Sequence, residues 1–194
     1  LSIRRQRQMC IRDSYYTNGG SSIPATARAR TSGELFLPTA TTRTGYTFAG
    51  WYNGANTAAA TKLGSAEARY TPSADVEMFA GWTANTNTVS FSGNNATSGT
   101  VSNQSIVTDA ATALTANAFE RTGYTFAGWN TAANGSGTDY TNQQSVTLQG
   151  NLALFAKWTA NTNTVTFNGN NATSGSVSNQ SIVTDAATAL TANA

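Results

Sequence analysis

The chain has 194 residues, a formal net charge of +2, no histidine and a single cysteine, and only 10% of its residues are charged. Without histidine, no side chain has an ordinary pKa suited to switching between about pH 5 and 8, and Ser–His–acid or Cys–His catalysis is excluded. One cysteine cannot build an internal disulfide framework, and no run approaches the roughly 20 apolar residues of a membrane-spanning helix.

The chain opens on LSIRRQRQMCIRDS, residues 1–14, which set Arg4, Arg5, Arg7 and Arg12 against Asp13 alone. This segment holds four of the 11 basic and one of the 9 acidic residues, so the remainder carries seven basic against eight acidic side chains, a net charge of −1. Beyond the first 14 residues there is no basic stripe of the kind that binds nucleic acid. RRQRQMCIRDS resembles the translated sequencing-adaptor sequence found at the ends of metagenomic assembly products. The segment, Cys10 included, is expected to be non-native and is kept out of fold reasoning. The alternative is a native basic arm for an anionic partner or membrane surface.

From residue 15 onward the sequence repeats itself. All four tryptophans close an F-A-G-W or F-A-K-W tetrapeptide, at Trp51, Trp82, Trp129 and Trp158. R-T-G-Y-T-F-A-G-W is identical at 43–51 and 121–129. Residues 83–118 recur at 159–194 with three differences, Ser90/Thr166, Ser92/Asn168 and Thr100/Ser176. This defines a tandem array with modules at 15–82 and 83–158. A third module, 159–194, ends at the equivalent of Ala118 and is expected to be truncated. A module of ~70 residues buries only about 60% of its unfolded surface, so large aromatics are one way for it to gain core area. The polar T-A-N-T-N-T after Trp82 and Trp158 has the composition of a linker.

Within the second module the local signals are chiefly those of strands. N-T-V-S-F-S-G alternates, with Val89 and Phe91 on one face, and runs into the turn-forming G-N-N-A-T-S-G. T-V-S-N-Q-S-I-V-T reads as a polar strand. T-D-A-A-T-A-L-T-A-N-A-F could begin a short helix with Thr108 or Asp109 as N-cap. Y-T-F-A-G-W-N is a strand, T-A-A-N-G-S-G-T-D-Y a loop, Y-T-N-Q-Q-S-V a helical turn and N-L-A-L-F-A-K-W the closing strand.

Alternation along that closing strand puts Leu152, Leu154, Ala156 and Trp158 on one face, with Ala153, Phe155 and Lys157 on the other. The first module repeats this with Val76, Met78, Ala80 and Trp82 opposite Asp75, Glu77, Phe79 and Gly81. Trp82 and Trp158 are therefore expected in the core, and Phe79 and Phe155 partly buried. In the middle strand Tyr46 and Phe48 face one way and Trp51 the other. A bulge at Gly50 would bring Trp51 and Trp129 round to the core.

Little else in the sequence carries chemistry. Of the carboxylates from residue 15 onward, only Asp109 and Asp185 occupy one repeat position, and no replicated pair suits two-carboxylate hydrolysis. No Cys/His cluster, calcium loop or phosphate-binding G-x-x-x-x-G-K-[ST] is present. L-P-T-A-T at 37–41 lacks the glycine and the following apolar tail of a sortase anchor. Lys157 aligns with Gly81, so a lysine–asparagine isopeptide staple cannot be common to the modules. The N-x-[ST] sites at Asn95, Asn103, Asn134, Asn171 and Asn179 read as surface asparagines in turns.

The order N-G-G, then L-P, then T-R-x-G-Y-x-F-x-G-W, then a closing L-[YF]-A-x-W resembles the Listeria–Bacteroides repeat, also called the internalin-B B-repeat. The first module shows it as YYTNGGSSIP, LPTATTRTGYTFAGWY and VEMFAGW, the second as VSFSGNNATSG, ERTGYTFAGWN and LALFAKW. The second module departs at Leu114-Thr115, where the pattern has Leu-Pro. The family positions are Gly45, Tyr46, Phe48, Gly50, Trp51 and Trp82, then Gly123, Tyr124, Phe126, Gly128, Trp129 and Trp158. The resemblance implies an α+β, β-dominated fold of tandem small β-grasp-like modules, each a mixed sheet with at most a short helix.

It also implies a large surface-attached or secreted bacterial protein in which the repeats serve as spacer, stalk or interaction module, with no catalytic residue, metal or cofactor. A non-enzymatic spacer is expected, each module adding roughly 30 Å of reach. The alternative is a module that binds a glycan or a host protein through exposed aromatics, for which Phe79, Phe155, Tyr70 and Tyr140 are the candidates. A surface protein or glycan is the expected partner class, with no nucleic acid and no membrane span.

Overall fold

A computed structural model describes residues 14–22 and 34–193. The rest of the adaptor-like segment, Cys10 included, lies outside the described residues, and its last residue, Ser14, opens the first strand.

Among the described residues the strands are, in order, β1 (Ser14–Tyr16), β2 (Leu35–Phe36), β3 (Tyr46–Tyr52), β4 (Lys62–Gly64), β5 (Arg69–Tyr70), β6 (Glu77–Ala84), β7 (Thr86–Ser92), β8 (Gln104–Val107), β9 (Thr112–Ala113), β10 (Tyr124–Asn130), β11 (Asp139–Tyr140), β12 (Ser145–Val146), β13 (Leu152–Ala160), β14 (Thr162–Val165) and β15 (Gln180–Val183). Among the described residues there is no helix, so the α+β expectation is corrected to all-β.

Both expected helical pieces are short strands with turns, for local reasons. Asp109 takes φ +59° and breaks any helix at its first turn. Beyond it, Gln104 holds the chain extended: its Nε2 donates to Ala113 O at 2.8 Å, and its Oε1 accepts from Thr115 N at 2.9 Å. Thr112–Ala113 then pairs antiparallel with Ser145–Val146. In Y-T-N-Q-Q-S-V, Gln143 takes φ +57° and a turn closes from Gln144 N to Thr141 O.

Packing divides the chain into two compact units at Thr86/Asn87, with Val107–Asp109 belonging to the first. In the first unit the main sheet runs β1-β6-β3-β4, with β1 parallel and β3 antiparallel to β6. In the second unit the order is β11-β10-β13-β7-β8, with β7 parallel and β10 antiparallel to β13. T-A-N-T-N-T is not the loose linker its composition implied. The closing strand reaches Ala84 or Ala160 and the next strand begins at Thr86 or Thr162, leaving one asparagine between them.

Each unit has its own core. The first gathers Leu35, Leu37, Trp51, Met78 and Ala80, and the second Val89, Ile106, Leu114, Trp129, Val146, Leu154 and Ala156. The duplicated residues 159–193 contrast with this. There β14 and β15 pair only with each other, Leu190 is 61% exposed where Leu114 is 2% exposed, and Phe167, Val177 and Leu190 line an open cleft of about 430 Å³.

Candidate functional site

The repeated aromatic motif is built around a bulge. The register of β3 on β6 shifts between Phe48 and Gly50, and that of β10 on β13 between Phe126 and Gly128. Gly50 and Gly128 take φ +133° and +128°, a region L side chains avoid. The shift lets Phe48 and Trp51 fall on one side, their rings 5.4 Å apart edge to face, and Phe126 and Trp129 likewise at 5.0 Å. Trp51 and Trp129 are fully buried.

The closing tryptophans flank this centre. Trp82 and Trp158 are partly buried, pack on Phe48 and Phe126 at 5.6 and 5.7 Å, and cover the cores rather than filling them. Their Nε1–H groups donate to Thr17 O at 3.0 Å and to Gly93 O at 3.0 Å. Tyr15 and Phe91, from the first strand of each unit, complete the cluster against Trp51 and Trp129.

The four candidate partner-contact residues do not converge on one surface feature. Tyr70 and Tyr140 are half-buried against the two cores. Phe79 stacks on Tyr16 at 4.7 Å with an interplanar angle of 11°, and Tyr16 is 44% exposed. Phe155 is half-buried, and Ser92 stands in the position of Tyr16.

Tyr46 and Tyr124 lie outside the core. Each O–H donates to a carboxylate, Asp109 at 2.9 Å and Asp185 at 2.7 Å. Those hydrogen bonds raise both phenols above their ordinary pKa. Gly45 and Gly123, one residue earlier, take φ +77° and +78°.

Sequence reasoning missed a set of asparagines. Asn18 and Asn94 adopt φ +47° and +46° in the turn after the first strand, and their Nδ2 groups donate to Ala80 O at 3.0 Å and Ala156 O at 2.9 Å. Their signal was N-G-G, read only as part of the family pattern, and G-N-N, read only as turn chemistry. Asn130, fully buried, organises the loop to β11. Its Oδ1 accepts from Ala132 N and Gly137 N, and its Nδ2 donates to Gly137 O and to Asp139 Oδ1. Lys157 Nζ reaches the same Asp139 at 2.7 Å. The Lys157 ammonium, followed by the Asn130 amide, lowers the Asp139 carboxyl below its ordinary pKa.

Among the described residues no group of three or more His, Cys, Asp or Glu is placed to hold a metal ion. No helix there is long and apolar enough to cross a membrane.

Two bulged aromatic sheets of one design, each closed by a strand parallel to its first, define a tandem β-repeat protein. Residues 14–81 and 87–157 each match the Listeria-Bacteroides repeat domain, and the chain belongs to that family. Internalin H of Listeria monocytogenes serovar 1/2a is similar to it, at 34% identity over 127 residues, which is 65% of this chain and 21% of that protein. The chain thus spans about a fifth of that relative's length. No solved structure matches it.

Proposed function

We propose that the chain is a non-enzymatic spacer region of a bacterial cell-surface or secreted protein, made of β-grasp-like modules at 15–82 and 83–158 with a further module begun at 159–194. One observation carries this reading: the residues that define the repeat are consumed in building it. Trp51 and Trp129 are fully buried, Phe48, Phe126, Trp82 and Trp158 pack on them or cap the cores, and Tyr46 and Tyr124 hydrogen-bond to Asp109 and Asp185. A repeat whose defining residues are taken up by its own packing and hydrogen bonds is suited to reach and presentation. The β-grasp reading is supported by strand order. Counting only the five strands of the main sheet of the second module, β8, β7, β13, β10 and β11 run second-first-fifth-third-fourth, with first and fifth parallel. The family membership and the likeness to internalin H support the surface location.

The test is display. The full chain is placed between a cell-wall anchor and an epitope, and residues 83–158, one repeat period, are deleted. Capture of the epitope by a bulky reagent is expected to fall, and unchanged capture sinks the spacer reading.

A second reading has its own observation, the half-open Tyr16–Phe79 stack. A pair of parallel rings open to solvent suits a sugar face or an apolar side chain of a host protein. If this pair is the binding surface, the full chain binds on a glycan array or to host cells and Tyr16→Ala/Phe79→Ala abolishes the signal. No binding by the parent chain rejects that reading.

A further inference from the structure

The duplicated nonapeptide R-T-G-Y-T-F-A-G-W divides in its middle. F-A-G-W serves the core. R-T-G-Y-T makes a separate set of bonds, centred on the lone asparagine that follows each closing strand.

Within the second unit, Asn161 N–H donates to Gly123 O at 2.9 Å, and Thr184 N–H donates to Asn161 O at 2.9 Å. Thr125 Oγ1–H donates to Asn161 Oδ1 at 2.7 Å, and Tyr124 O–H to Asp185 Oδ2 at 2.7 Å. Gly123 has no room for a side chain, since a Cβ there would lie 2.7 Å from Thr184 Cγ2. The first unit, to which Val107–Asp109 belong, holds the same bonds. Asn85 N–H donates to Gly45 O at 2.9 Å, Thr108 N–H to Asn85 O at 2.8 Å, Thr47 Oγ1–H to Asn85 Oδ1 at 2.6 Å and Tyr46 O–H to Asp109 Oδ2 at 2.9 Å.

Both aspartates take φ +59°, a left-handed conformation Asp tolerates, so the turn that presents the carboxylate is also the same. An arginine guanidinium covers each tyrosine ring, Arg43 at 3.8 Å and Arg121 at 3.7 Å. Asp109 and Asp185 are the one carboxylate position that the repeats share, and in both cases that carboxylate is spent here.

We propose that R-T-G-Y-T and the following asparagine form a docking seat, and that its occupant is the V-T-D turn of the next copy of the repeat. This rests on the tandem-scaffold reading and adds that, inside each packed unit, the V-T-D turn is clamped to the R-T-G-Y-T segment. The middle copy carries both halves, R-T-G-Y-T at 121–125 for the copy that follows and V-T-D at 107–109 for the copy before it. The groups facing the Tyr124 phenol are Asp185 and Arg121. Since the bound carboxylate favours the neutral phenol, the clamp holds below the ordinary phenol pKa and is lost as pH rises through the raised one.

Hydrogen exchange of the full chain tests this. Tyr124→Phe with Asn161→Ala is expected to speed exchange at 180–186 by about five- to tenfold, the scale of one or two lost hydrogen bonds. Exchange at 150–158 is expected to stay unchanged. Asp185→Ala alters the occupant alone and is expected to reproduce the effect without touching the seat. A rise confined to 180–186 in both variants supports the clamp. No rise in either variant overturns it, and so does a rise across the whole second unit with Asp185→Ala. Display efficiency plays no part in this readout, so the spacer reading and the clamp fail separately.

Discussion

Trp51 and Trp129 occupy one position in two sheets, but their indole N–H groups meet different surroundings. Trp51 Nε1 donates to Pro38 O at 3.0 Å. Trp129 Nε1 is buried with no hydrogen-bond partner among the described residues, and it lies in the module that has Leu114-Thr115 in place of Leu37-Pro38. Trp→Phe at 51 therefore removes a hydrogen bond, whereas at 129 it removes an unpaired donor. Trp51→Phe is expected to cost about 1–2 kcal/mol more than Trp129→Phe in the local opening free energy, measured by hydrogen exchange at the β6 and β13 amides. Gly128 makes a sharper case. A side chain there meets both a disfavoured φ of +128° and Tyr140 O at 2.8 Å, and backbone cannot step aside. Gly128→Ala is expected to destabilise the second unit by about 2–3 kcal/mol in urea denaturation, and a neutral result would remove the bulge as the reason for glycine. Asn130→Ala leaves the Ala132 and Gly137 amides without their acceptor, at about 1–3 kcal/mol by the same measurement.

At the scale of strands, the two sheets solve one packing problem by different chemistry. In the first unit the Tyr52 ring lies over Gly81, so close that a Cβ on Gly81 would sit 2.3 Å from Tyr52 Cε2. In the second, Asn130 replaces the tyrosine and Lys157 the glycine, and Asp139 joins the two. Gly81→Lys alone is expected to disrupt β6, and Tyr52→Asn to relieve it. The double variant is then less damaged than the sum of the singles, and strict additivity in thermal unfolding would show that the two positions are independent. Acid should loosen the Asp139 device selectively. Because its carboxyl is held below the ordinary 3.8, the ion pair contributes in full above that value and is lost as pH falls through the lowered one. Exchange in the 131–139 loop should accelerate below about pH 4, while the matching loop of the first unit, without that ion pair, should change less.

At the scale of the whole molecule, the tandem order and the strands of the motif were legible because identity between copies needs no physics to detect. The bulge was legible as a condition: alternation put Trp51 on the wrong face, and a glycine stood where the register could slip. The helices were misread. T-D-A-A-T-A-L has helical composition, but its extended form is set by the Gln104 side chain and by pairing with Ser145–Val146, both distant in sequence. The linker was misread for a related reason, since polar T-A-N-T-N-T donates and accepts main-chain bonds that composition cannot reveal. The same duplication gives a comparison inside one chain. Residues 83–118 and 159–194 differ at three positions, yet Ile106 is buried at 1% exposure and its copy, Ile182, is only half-buried. Hydrogen exchange is expected to be faster in 162–193 than in 86–117. Equal protection would mean that strand pairing, rather than burial of the apolar face, sets local stability.

The parallel pairing of β7 with β13, Val89 opposite Leu152 and Phe91 opposite Leu154, joins the first and last strands of one module side by side. A pull on the two ends of that module loads these strands lengthwise in opposite directions. The bonds between them must then break together in shear instead of one after another as in a zipper. Stretched in a single-molecule force experiment, the module should resist with one abrupt, high-force rupture. For a chain held at one end and tugged at the other, the placement of two strands becomes tensile strength.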